Sequence, residues 1–167
     1  ALEGRIVLTY SLGSFPTLRC LEQIRNDACY HEANVKIVTV GGGMSYGAVG
    51  VSHHATEDLA AMRALPNLTV IAPGDFWEVE EATKALVDWP GTAYLRLDKS
   101  AAATCRNDDE VFAIGRARVV REGSDVALVA AGGILGEALR AASLLARAGV
   151  SSRVISLHTL KPVDIST

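Results

Sequence analysis

Two adjacent histidines, His53 and His54, lie between a glycine-bracketed stretch and a strong helix signal, residues 47–67 reading GAVGVSHHATEDLAAMRALPN. An imidazole on the rim of a loop titrates near neutrality and exchanges a proton with a bound ligand, which buried apolar side chains cannot do. The competing reading is a polar loop in which one imidazole merely satisfies a backbone carbonyl. Just upstream, Gly41, Gly42 and Gly43 follow an apolar strand signal. They either let a backbone approach a ligand closely or make a flexible turn. Their spacing, and the absence of a helix directly after them, do not make a dinucleotide fingerprint. His31, past a helix end, complements the helix dipole, and His158 reads as a polar cap rather than a catalyst. Cys20, Cys29 and Cys105 are odd in number and lack CxxC spacing, which supports reduced thiols rather than a disulfide framework or a zinc site. Cys20 shares a helical stripe with Leu18, Leu21 and Ile24 and is expected to pack in the core.

The elements that must position these groups alternate between short β-rich runs and helical ones, the pattern of a parallel sheet covered by helices on both faces. Strands are expected over residues 5–10, 35–40, 68–71, 92–96, 126–130 and 153–156. Most are Val, Ile and Leu without strict alternation, as in strands buried on both sides. Helices are expected over 16–29, 56–65, 75–87 and 136–148. Thr56 is the expected cap of the second, with Glu57 and Asp58 complementing its positive end and Leu59, Met62 and Leu65 forming its buried stripe. Asp75 and Glu78 make a capping box, and Gly149 is a stop signal. Residues 98–109 lose apolar content and read as a domain linker, followed by a β-ribbon over 111–120. A first domain over 1–104 and a second region over 105–167 follow. The second holds too few core elements to stand alone, so it depends on the first or begins a larger domain.

The order of these segments resembles the transketolase family of thiamine diphosphate enzymes. Residues 47–67 resemble the family's pyrimidine-domain signature. ALEG (1–4), TYSLGSFPTLRCLEQIRN (9–26), VKIVTV (35–40), NLTVIAPGD (67–75) and YLRL (94–97) are similar to its other segments in register. SDVALVAAGG (124–133) and VISLHTLKPVD (154–164) are similar to the start of its C-terminal domain.

This resemblance implies an α/β fold, a thiamine diphosphate cofactor with Mg2+, and transfer of a two-carbon ketol unit from a ketose to an aldehyde. His53 takes the place of the histidine that faces the substrate and the cofactor's reactive carbon. Phe15 is the ring assigned to the aminopyrimidine, with Tyr10 its competitor, and core packing is the alternative for both. Arg96 or Lys99 falls where the family clamps a substrate phosphate, with a surface role as the alternative.

Three departures qualify the match. Gly41 and Val49 stand where the family carries a histidine and an aspartate. The activating glutamate is expected upstream of Ala1, since Glu3 sits in the wrong place. The Gly-Asp-Gly and Asn-Asn pair that suit Mg2+ are absent, Gly74-Asp75-Phe76 being the nearest fragment. The expectation is therefore a component that needs a separate pyrophosphate-domain subunit or segment, self-associates, and acts on a small sugar or sugar phosphate. The alternatives are the beta subunit of a 2-oxo-acid dehydrogenase, a deoxyxylulose-phosphate synthase-like enzyme, or a non-catalytic assembly subunit.

Bulk properties narrow the partners. With 49% apolar residues among 167 the chain buries a core, and a net charge of −3 from 16 basic and 19 acidic side chains offers no basic stripe for nucleic acid. No apolar run approaches the roughly 20 residues that span a bilayer. A cytoplasmic protein is the expectation.

Overall fold

The Val- and Ile-rich runs form a parallel sheet because each is long enough to pair and apolar enough to be covered. The computed structural model describes residues 1–99, 102–104, 106 and 110–167; Cys105 and part of the expected linker lie outside the described residues. In the first sheet β1 (Val7–Leu12), β2 (Val35–Val40), β4 (Thr92–Leu97) and β3 (Leu68–Ile71) are parallel in that spatial order. A fifth strand, β8 (Thr159–Lys161), adds antiparallel to β3. The expected parallel sheet is present, and β8, from a distant part of the chain, adds an antiparallel strand to it.

Alternating side chains of the central strands supply two cores. On one face Ile37, Val70 and Tyr94 pack with Ile24 and Cys29 of the first helical segment and with Met62 and Leu65, on and just after α2 (Asp58–Ala64). On the other, Ile71, Ala93 and Leu95 pack with Ala82 and Leu86 of α3 (Phe76–Asp88). Helices thus cover both faces, and burying such large side chains stabilises the fold by about 1.5–3 kcal/mol each. The first helical segment is composite: π turns at Phe15–Arg19 and Ile24–Cys29 flank α1 (Leu21–Gln23). That irregular winding turns Cys20 outward, so the thiol expected in the core is exposed, whereas Cys29 is buried. Burial raises the Cys29 pKa.

A second sheet holds β5 (Arg118–Arg121), β7 (Ser152–Ser156) and β6 (Val126–Ala130) in that order, β5 antiparallel and β6 parallel to β7. Leu135 and Ala142 of α4 (Leu135–Arg147) pack on Ala130 and Val154. The ribbon expected over 111–120 is a strand only from Arg118 onward. Gly149 follows α4 with φ +80 as a stop residue. Not every strand is covered on both sides: the edge strand β1 leaves Leu8 and Tyr10 exposed, and β6 leaves Val126 and Val129 exposed.

The two regions are stitched together. Ala72 N donates to His158 O and Gly132 N donates to Ala72 O. The Arg118 guanidinium reaches Asp75 at 3.3 Å, Glu78 at 2.5 Å and Glu110 at 2.6 Å, all largely buried. Burial lowers the Arg118 pKa, but Glu110 and Glu78 together outweigh it and hold it above its ordinary value. The expected Asp75 cap is present, Glu78 N donating to Asp75 Oδ1 at 2.7 Å, while the Glu78 carboxylate reaches one residue further back and accepts from Gly74 N at 2.6 Å rather than from Asp75 N.

Candidate active site

The site is built where β1 and β2 end. After β2, Gly41 to Gly43 turn the chain, and a short antiparallel pairing closes a loop: Gly43 N donates to Ala55 O and Ala55 N to Gly43 O, both at 2.8 Å. Within the loop two 3-10 turns, Gly47–Val49 and Val51–His53, are joined by Gly50 at φ +88, a left-handed position that favours glycine. The second turn carries His53. The Ser52 carbonyl in the same turn accepts from Ser14 Oγ at 3.0 Å, which ties the histidine to the turn preceding Phe15.

As a result Phe15 and His53, far apart in sequence, sit with ring centroids 5.3 Å apart. Tyr46 lies 6.4 Å from the same imidazole. The Arg19 guanidinium is 4.0 Å from the Phe15 centroid and the Lys99 ammonium 4.3 Å from that of Tyr46, cation–π contacts at the edges of an aromatic cluster. Ser52 Oγ is 3.0 Å from His53 Nδ1. A serine that donates to Nδ1 leaves the imidazole proton on Nε2. His54 differs: its Nε2 is buried and has no hydrogen-bond partner among the described residues.

The other anticipated residues are distributed differently. Tyr10 is 70% exposed on the edge strand and lines an apolar groove with Ile6, Leu8 and Val87, away from the His53 cluster. Arg96 is neither on the surface nor free. Its Nε lies 3.0 Å from the buried Asp58 Oδ2, without the alignment of a hydrogen bond, and its Nη1 is 3.8 Å from Asp98. Asp58 also accepts from Tyr94 Oη at 2.8 Å, and Thr39 Oγ1 donates to Tyr94 Oη at 2.9 Å. Burial, chiefly, and the Asp58 charge push the Tyr94 phenol well above its ordinary pKa. Asp58, the acidic residue of the first turn of α2 as expected, also anchors this buried network. Thr56 does not cap α2, because its hydroxyl donates to Glu57 at 2.6 Å. Lys99 is exposed and has no carboxylate partner among the described residues.

Sequence reasoning missed Tyr46 and Lys36, and read Asp58 only as a helix-end charge. Lys36 Nζ is buried and donates to the carbonyls of Trp89 at 2.6 Å and Gly91 at 2.7 Å, while burial lowers its pKa. His158 is not a cap. It is buried, stacked on Phe112 with centroids 4.4 Å apart. Burial first, and Arg118 second, push its pKa down to about 4.

A mostly parallel α/β domain with an aromatic and imidazole cluster at its strand ends, joined to a second α/β unit, defines the class. The chain belongs to the transketolase family: residues 1–104 match the transketolase pyrimidine binding domain and residues 115–167 the transketolase C-terminal domain. It is 35% identical over 166 residues to an apulose-4-phosphate transketolase subunit of Phocaeicola vulgatus, covering 99% of this chain and 53% of that protein. It is also 35% identical to a putative transketolase C-terminal section of Methanocaldococcus jannaschii, covering 98% of this chain and 52% of that one. A solved structure described as a split gene transketolase, inactive beta4 tetramer, superposes with a TM-score of 0.86 at 37% identity, over 98% of this chain and 52% of its own. The chain thus spans about half the length of the relatives it matches. No helix among the described residues is long and apolar enough to cross a membrane.

Proposed function

We propose that the chain is the pyrimidine-domain component of a two-part, thiamine diphosphate-dependent transketolase that moves a two-carbon ketol unit from a ketose to an aldehyde. The observation that carries this reading is the meeting of Phe15 and His53 at 5.3 Å within a chain of this family. Thiamine diphosphate supplies, when bound, the means to cleave and remake a carbon–carbon bond beside a carbonyl. Phe15 offers a half-buried aromatic ring to a flat heterocycle, with the exposed Arg19 guanidinium over it. His53 orients the substrate carbonyl or exchanges a proton at the substrate oxygen from Nε2. Lys99, exposed beside the Tyr46 ring, is the cation we assign to a substrate anion, and Arg96 supports the glycine turn at Gly42.

The described residues hold no group of three or more His, Cys, Asp or Glu side chains suited to a metal. In this reading Mg2+ and the diphosphate are held by a separate pyrophosphate-domain subunit or segment. The names of relatives as transketolase subunits support a two-part assembly.

The test is to reconstitute the chain with a pyrophosphate-domain partner, thiamine diphosphate and Mg2+, and follow a ketose donor and an aldehyde acceptor. Lengthening of the aldehyde by two carbons is expected. Pyruvate decarboxylation without ketol transfer overturns the proposal in favour of a 2-oxo-acid dehydrogenase component or a deoxyxylulose-phosphate synthase-like enzyme. Assembly without either activity makes the chain a non-catalytic subunit.

A further inference from the structure

Tyr46 is held from two directions. Gly41 has φ +87 and no side chain, and a Cβ built there would lie 2.1 Å from Tyr46 Cε2 and 2.4 Å from Cδ2. The phenol ring therefore occupies the volume that a side chain at position 41 would fill. The Lys99 ammonium rests 4.3 Å from its centroid. The ring is half-buried and stands 6.4 Å from the His53 imidazole, on the same loop, whose neck is closed by the pairing of Gly43 with Ala55. Among the described residues its hydroxyl has no hydrogen-bond partner. An aromatic ring packed into the space beside Gly41, on the loop that carries His53, with a hydroxyl that no described residue engages, is a donor available to a ligand.

We infer that Tyr46 is a specificity-determining residue of the His53 site, its hydroxyl hydrogen-bonding an oxygen of a polyhydroxylated ketose on the carbons that stay behind when the ketol unit leaves. The inference rests on the ketol-transfer reading. Tyr46 and His53 stand on one loop with ring centroids 6.4 Å apart, so a substrate held by its carbonyl at His53 carries the rest of its chain past the Tyr46 ring. Loss of one directed hydrogen bond to a substrate oxygen costs enough to change selectivity, because the site's polar atom is then left unpaired.

The experiment compares the wild-type complex with its Tyr46→Phe and Tyr46→Ala forms, at saturating thiamine diphosphate and Mg2+ and with one aldehyde acceptor. The donors are fructose, fructose 6-phosphate and 3-hydroxy-2-oxopropanoate, the last of which carries the ketol carbons and releases CO2 with no further hydroxyl. Tyr46→Phe is expected to lower kcat/KM for the ketoses by at least about 10-fold, the scale of one hydrogen bond, while the minimal donor changes by less than about 2-fold. Equal loss on all donors, or no loss on any, overturns the role of Tyr46 and leaves ketol transfer standing. Wild-type turnover of the minimal donor without either ketose overturns the ketose assignment. Absence of ketol transfer from every donor overturns the functional reading itself. Packing is checked on the chain without its partner: Gly41→Ala is expected to lower Tm more in the wild type than in the Tyr46→Ala background, and equal lowering means the ring does not fill that space.

Discussion

His53 and His54 are adjacent in sequence yet face different surroundings, and mutation is expected to treat them unequally. His53 sits between Phe15 and Tyr46 with Nδ1 beside Ser52 Oγ, while His54 turns its Nε2 into the protein. In the assembled enzyme, with cofactor saturating, His53→Ala is expected to lower kcat/KM by roughly 100-fold or more. His54→Ala should cost little beyond local packing, and the reverse order of effects would mean that the loop presents the other imidazole. Phe15→Ala is expected to weaken thiamine diphosphate binding by about 1–3 kcal/mol, the scale of a lost aromatic contact. Titration calorimetry on the complex checks this, with Tyr10→Ala as the control, since Tyr10 stands apart on β1. A defect confined to Tyr10→Ala would move the role to that ring.

Elements meet at two buried polar clusters, and each carries an expectation. Arg96 of β4 is wedged under the glycine turn after β2, where a Cβ on Gly42 would lie 2.1 Å from its Nε, and it neutralises Asp58 at the start of α2. Arg96→Ala leaves Asp58 buried without its countercharge, so chemical denaturation should show a loss of about 3–5 kcal/mol. An Arg96→Ala protein of wild-type stability that has lost turnover of sugar phosphates would instead make Arg96 the substrate's cation. His158, just before β8, is stacked on Phe112 and faces Arg118 of β5, Asp75 before α3, and Glu110. Its native pKa of about 4 lies below the ordinary value of 6.5, so between these two the unfolded chain binds the extra proton. The contribution is fully present above about pH 6.5 and is lost as pH falls towards 4, amounting to roughly 3 kcal/mol. Stability curves of His158→Gln should be flatter than wild type across that window, and an unchanged slope would refute the assignment.

At the scale of the molecule, the second region cannot be lifted away from the first. The β8 strand completes the first sheet and Arg118 is buried among carboxylates of α3 and of the connecting segment. The cofactor is a different matter, because in the proposed reading the metal and diphosphate ligands belong to a separate subunit or segment. Calorimetry of the 167-residue chain with thiamine diphosphate and Mg2+ is expected to show no tight site, and sub-micromolar binding by the chain alone would sink the two-part proposal.

Much of this is legible in local patterns. The strands at 35–40 and 68–71 form at the limits their composition marks, because a buried parallel strand is an apolar run bounded by turn residues, and 126–130 keeps its limits although one face of it is exposed. The Asp75 and Glu78 cap is equally plain, since both partners lie within one helical turn. Tertiary structure decided what depends on distant chain: the outward turn of Cys20, the burial of Arg96 against Asp58, the antiparallel β8, and the choice of Phe15 rather than Tyr10 as neighbour of His53. It also placed Tyr46 in the space left by Gly41. Periodicity reports the side of an element that is buried, but not which side chain from elsewhere arrives there, and a charged residue has the same local signature whether it is solvated or paired in the interior.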